Sequence, residues 1–352
     1  MRVFYCFKKV GVDVRSFAKP AISILEQVDL LKSRGLYIRD EARAADFLSA
    51  VSFFRLTPYM RPFQVVSYAD HAFLPGTRFR QISQLYEFDR RLRLLLMDAI
   101  ERTEVAIRSA ISNYMGPAYG PHWYLNRSHF KDRYDHERLI STIENAQQKA
   151  LQDYRREVAR IDRLTNADAL RKEALKNRRA HESYARHYAL TYDSPELMPG
   201  WAMLEELTIG DLSHLYRGLA KDNDRKFIGQ QLAAPSPLLD SWLHTLTVVR
   251  NICAHHARIW NRELAIKPVR PKQAGFSWPD YLRGENQHTR VAMVLAILQH
   301  FMRQVSPHTQ WCKCLADLFN EYIEIDLQAM GIQDTWYSDP FWQNDLMTAN
   351  EI

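Results

Sequence analysis

The chain has 352 residues, of which 46% are hydrophobic and 25% charged, a globular balance that excludes a disordered or low-complexity protein. At roughly 100–200 residues per domain, this length makes one large or two closely packed domains. A formal net charge of +6 leans toward polyanionic partners without requiring one.

Glycine is scarce, at 12 residues, and strand-like alternation of Val, Ile and Thr is rare, so the chain reads as all-α. Four cysteines, Cys6, Cys253, Cys312 and Cys314, make no disulfide framework, which points to a reducing cytoplasm. His308 lies near Cys312 and Cys314, but Cys-x-Cys lacks a second ligand pair, so neither metal nor other cofactor is expected. The opening MRVFYCFKKVGVDVRSF has no signal-peptide core, and VAMVLAIL from Val291 is too short to cross a bilayer.

In chain order, residues 1–16 read as a leader or arm, followed by one domain over 17–352. SILEQVDLLKSRGL places Ile24, Leu25, Val28 and Leu31 at helical spacing, with Gly35 as the stop. A second helix is expected from about Arg39 to Phe54, then a connection marked by Pro58 and Pro62. The strongest pattern runs from Leu85 to Met115. There Leu85, Phe88, Leu92, Leu95, Leu96, Ala99, Thr103, Ala106, Ile107 and Ala110 form one stripe at about 100° per residue, the spine of a helical bundle. Residues 131–186 hold 14 Lys and Arg against 10 Asp and Glu, a net of +4, and contain neither Gly nor Pro. They read as long, partly exposed helices. Such a face is either merely solvated or tracks a nucleic-acid backbone; its candidate contacts are Arg155, Arg156, Arg171, Lys172, Arg178 and Arg179. A helix from about Trp201, an interruption at Gly210 and a cap at Asp211 come next. Two helices near Thr289–Gln304 and Gln310–Asp326 close the chain.

Between them stands LLDSWLHTLTVVRNICAHHARIW. Taken as one helix from Leu239 to about Arg258, it puts Leu239, Trp242, Leu246, Val249 and Cys253 on one side within about 80°. His244, Asn251, His255 and, if the helix persists, Arg258 fall on the opposite side, with Arg250 on the flank. His256 lands on the core side and is expected to pack there in a supporting role. A surface or interface histidine is the plain alternative for His255. Phosphodiester cleavage near neutral pH needs a group that exchanges a proton there, which imidazole does. It also needs a fixed positive charge on the developing phosphorane, which a guanidinium fork supplies. Arg250, Asn251 and His255 therefore suffice for half of an RNA-cleaving site, with the 2′-hydroxyl as nucleophile; a second copy of the helix across a two-fold axis would supply the missing acid–base group.

Arg-Asn-x-x-x-His resembles the R-x(4–6)-H signature of HEPN-type ribonucleases. Over nearly its whole length the chain is similar to the Abi-like (abortive infection, AbiD/AbiF type) family of bacterial phage-defence proteins. The blocks that carry the likeness include FLSAVSFFRLTPYMRPF, LYEFDRRLRLLLMDAIERTEVAIRS, HESYARHYALTY, MPGWAMLEELTIGDLSHLY, WLHTLTVVRNICAHHARIWNREL and AMGIQDTW. The resemblance implies an all-α HEPN core at about 80–262, a homodimer, and metal-independent RNA cleavage leaving a cyclic phosphate. Arg250 and His255 stand at the signature positions and Asn251 at the polar one. It also implies toxin–antitoxin behaviour with a structured small RNA. The charged span at about 131–190 is longer than the family pattern. A HEPN-like module that only holds RNA, using that span and the arginines between Arg78 and Arg108, is the competing expectation.

Overall fold

The computed structural model describes residues 20–66, 71–273, 275–284 and 289–348; the expected arm at 1–16 and Cys6 lie outside them. Among the described residues the chain is all-α. Fourteen α-helices are joined by loops and 3-10 turns, and β pairing is limited to isolated bridges. It divides into two compact units, residues 1–86 and 87–352.

In the first unit α1 (Ile24–Ser33) opens on a capping box, Ser23 with Glu26, and stops before Gly35 at φ 89°. Asp40 caps α2 (Glu41–Val51) by accepting from Arg43 N at 2.9 Å. The expected single helix to Phe54 is corrected. Ser52, at φ 69°, ends α2 and serves as N-cap of α3 (Phe53–Met60), which contains Pro58. Burial of Leu56, Tyr59 and Met60 on one face outweighs the single backbone bond that Pro58 forfeits.

The helix α4 (Phe79–Tyr119) is longer at both ends than its apolar stripe requires, and from Glu87 onward it belongs to the second unit. Phe88, Leu92, Leu96, Ala99, Thr103, Ile107 and Ala110 are buried, as their spacing demands, while Leu95 and Ala106 are half-buried. The charged span folds into α5 (His136–Asp162), α6 (Ala169–Ala180) and α7 (Tyr184–Thr191), which pack on one another. Arg186 fastens this arm: it is buried, and it donates to Glu157 Oε2 at 3.1 Å and to Arg179 O at 2.5 Å. After α8 (Gly200–Met203) comes α9 (Ile209–Gly218). Asp211 is not its N-cap. Thr208 is, and Asp211 three residues on completes a capping box, so Gly210 lies inside the helix rather than interrupting it.

The remaining helices are α10 (Asp222–Gln230), α11 (Ser236–Ala254), α12 (Val291–Val305), α13 (Trp311–Glu321) and α14 (Pro340–Thr348). Every residue of α12 from Val291 to Met302 is buried, so this helix is enclosed on all sides. Helix α13 ends at Glu321, short of Asp326, and divides its Cys-x-Cys pair between a buried Cys312 and an exposed Cys314. Helix α14 has no strong apolar periodicity. It is held instead by buried Phe341 and Trp342 and by Arg303, which donates to Asp345 Oδ2 at 2.9 Å and lies over the Phe341 ring. Among the described residues no helix is long and apolar enough to cross a membrane.

Candidate functional site

Helix α11 presents its apolar side to the core as the sequence dictates: Leu239, Trp242, Leu246 and Val249 are fully buried and Cys253 nearly so. It packs against α9, α10 and α12. Trp242 sets its rotation, donating from its indole nitrogen to Val269 O at 2.8 Å and stacking on Trp278 at 5.4 Å between centroids. Burial pushes the Cys253 thiol up to about 12, so it is an inert core group.

The helix does not reach Arg258. It ends at Ala254 in a Schellman motif: His256 N donates to Cys253 O and Ala257 N to Ile252 O, each at 2.9 Å, and His256 adopts φ 55°. His255 is the C-cap residue, its backbone N–H bonded to Asn251 O at 3.0 Å. This overturns the expected packing of His256. Helical periodicity carried past Ala254 puts that side chain on the core side; the left-handed turn at His256 breaks the periodicity, and both histidines are exposed.

On the outward side His244, Asn251 and His255 are exposed and Arg250 and Arg258 half-buried. The Arg250 guanidinium donates to Asn251 Oδ1 at 3.4 Å, a long contact that joins two of the three candidate catalytic groups. Among the described residues the His255 ring makes no hydrogen bond within the chain. The outer end of α11 thus offers a guanidinium fork steered by a neighbouring amide, and an imidazole open to an incoming group.

Sequence reasoning missed the residue that anchors the far side of this turn. Asp89 of α4 is fully buried, and its Oδ1 accepts from Ile259 N at 3.0 Å and from Trp260 N at 2.6 Å. Its other oxygen pairs with Arg93, also buried. The signal was present in the spine block as Asp-x-x-x-Arg inserted beside the apolar stripe, where unpaired charge is not tolerated.

The competing basic surfaces fare unequally. Within α4 of the second unit Arg90 pairs with Glu87, Arg91 with Glu321, Arg93 with Asp89, Arg102 with Asp98 and Arg108 with Glu104. Arg108 also donates to the carbonyls of Leu204 and Leu207 at 3.0 and 2.9 Å. Arg93 and Arg108 are thereby enclosed in the fold, whereas Arg90, Arg91 and Arg102 are partly exposed side chains in surface ion pairs. On the arm, Arg155, Arg156, Arg171, Arg178 and Arg179 are exposed and Lys172 half-buried. Arg156 reaches Asp153 at 3.4 Å, Arg179 reaches Glu182 at 2.6 Å, and Lys172 donates to Asp162 O at 2.8 Å.

Comparison with protein families gives a match to the model described as Abi-like protein over residues 46–261, a span that holds the spine helix, the charged arm and all of α11. Comparisons with curated proteins and with solved structures give no significant match. The matched segment covers more than half of the chain and includes the Arg250–His255 segment, and on that basis the chain belongs to the Abi-like family.

Proposed function

We propose that this protein is a metal-independent RNA endonuclease acting in abortive-infection defence against phage, with its active site shared between two copies. The observation that carries the reading is the outward end of α11, where Arg250 and Asn251 are hydrogen-bonded and the His255 imidazole points no hydrogen bond back into its own chain. The His255 ring takes the proton of a ribose 2′-hydroxyl as that oxygen attacks the adjacent phosphorus. The bond from phosphorus to the 5′-oxygen breaks, and a protonated imidazole from the second copy returns a proton to the leaving oxygen. The products are a 2′,3′-cyclic phosphate and a 5′-hydroxyl. Arg250 faces the charge that builds on the phosphorane oxygens, and Asn251 holds the guanidinium in register. The substrate carries its own nucleophile, so the step balances without a metal-bound hydroxide.

The test is product chemistry. The full chain is incubated with a ribo-oligonucleotide in chelator, and again with the same strand carrying 2′-deoxyribose at the cut positions. Cyclic phosphate ends from the first and no cutting at the deoxy positions are expected. Cleavage that survives deoxy substitution, or that needs added divalent ions, refutes the reading.

A second reading, an RNA-holding module with little cleavage of its own, is favoured by the exposed arm cations, of which Arg155, Arg171 and Arg178 have no ion pair among the described residues. Reversing these three charges then weakens RNA binding and flattens its salt dependence. Parent-like affinity in the folded variant removes this reading.

A further inference from the structure

We propose that Asp89 is a positioning residue for the site: through the backbone of the turn it fixes where the His255 imidazole stands. The inference rests on the reading of His255 as the acid–base group.

An imidazole usually takes its orientation from a hydrogen bond to its second nitrogen. The His255 ring has none within the chain among the described residues, so its placement is inherited from the main chain. That main chain is held at two points. On the helix side the Schellman bonds of His256 and Ala257 fix the exit from α11. On the other side Asp89 Oδ1 receives both Ile259 N and Trp260 N. Only Arg258 lies between the two sets of bonds. Trp260 adds a further tie, donating from its indole nitrogen to Asp326 O at 3.1 Å.

The turn also carries strain that a freer loop would release. His256 sits at φ 55°, where a residue with a Cβ is disfavoured by about 1–2 kcal/mol relative to the ordinary helical region. Such conformations persist where the surroundings over-determine them. A fully buried carboxylate facing a buried arginine is a rigid anchor, because neither charge can leave its partner without stranding the other. Asp89 therefore transmits the position of the spine helix to the turn, and a reacting group displaced by about 1 Å loses on the order of 100-fold in rate.

The experiment compares Asp89→Asn and Asp89→Leu in the full chain. Asparagine keeps an acceptor oxygen for the two amides; leucine removes it. The expected result for Asp89→Leu is a kcat about 100-fold lower on a ribo-oligonucleotide, with KM and the affinity for an uncleavable 2′-O-methyl strand close to parent. Asp89→Asn should recover much of the kcat. A folded Asp89→Leu that turns over at the parent rate, or one that loses binding and turnover together with no recovery in Asp89→Asn, overturns the proposal. Should Asp89→Leu fail to fold, amide hydrogen exchange in the parent decides: the Ile259 and Trp260 amides are expected to exchange only on global unfolding, and loop-like exchange there overturns the proposal. The two failures separate cleanly. A parent chain inactive on RNA removes the nuclease reading, whereas an active parent with fast exchange at these two amides removes the role of Asp89 alone.

Discussion

Replacing His255 by alanine separates chemistry from stability in a single substitution. The C-cap bond that this residue makes is donated by its backbone N–H to Asn251 O, and alanine keeps it. The ring is exposed and makes no hydrogen bond within the chain among the described residues. A substitution of that kind changes stability by no more than about 0.5 kcal/mol, or roughly 2 °C in the unfolding midpoint for a cooperative unit of this size. Removing a general acid–base group costs about 10²–10⁴ in rate, which is about 3–5 kcal/mol on the barrier. The loss on the barrier therefore exceeds the loss of stability several-fold. The assay pairs initial cleavage rates on a fluorescent ribo-oligonucleotide with a thermal melt of the same preparation. Parent-like cleavage refutes the catalytic assignment. Lost cleavage with a midpoint lowered by more than about 5 °C refutes the exposed placement of the ring, because that pairing is what a packed side chain would give.

Other outcomes follow from neighbouring features. His256→Ala should leave the melting midpoint within a few degrees of parent and preserve cleavage, since the side chain is exposed and no cavity forms; lost cleavage at an unchanged midpoint would move the second acid–base role from a second copy to His256. Burial holds His300 down to about 4, against 6.5 for a free imidazole, so the fold keeps it neutral. Its contribution is complete above pH 6.5 and is lost as the pH falls from 6.5 to 4, by about 3 kcal/mol in all. The urea midpoint of the parent should fall more steeply across that window than that of His300→Gln, and parallel curves would refute the assignment. Arg186→Leu should loosen α5–α7 by about 2–4 kcal/mol, because Glu157 and the Arg179 carbonyl lose their buried donor. Faster amide exchange confined to those helices is the expected signature, and parent-like exchange there refutes it.

Periodicity was informative wherever burial alone decides structure. The stripe of α4 and the core side of α11 follow from the spacing of Phe88, Leu92 and Leu96, and of Trp242, Leu246 and Val249. It failed where a local backbone choice intervenes. No residue type announces the left-handed turn at His256, a position where glycine is usual, and that turn takes His256 off the core side. Pro58 argued for a loop on propensity, yet three buried side chains carry α3 through it. The outward identity of Arg250, Asn251 and His255 was legible because it needs only the helix up to Ala254. Asp89 was not, because its meaning depends on two amides some 170 residues away in the chain.

The match to the Abi-like family ends at residue 261, whereas α12 begins at Val291. All the candidate catalytic groups precede the first of these, and one of the three helices on which α11 rests follows it; the Trp242 ring meets Phe301 of α12 edge-on at 5.6 Å. Of the helices that α11 packs against, α9 and α10 lie inside the matched span and α12 lies outside it. Residues beyond the matched span therefore complete the core side of the helix that carries Arg250, Asn251 and His255.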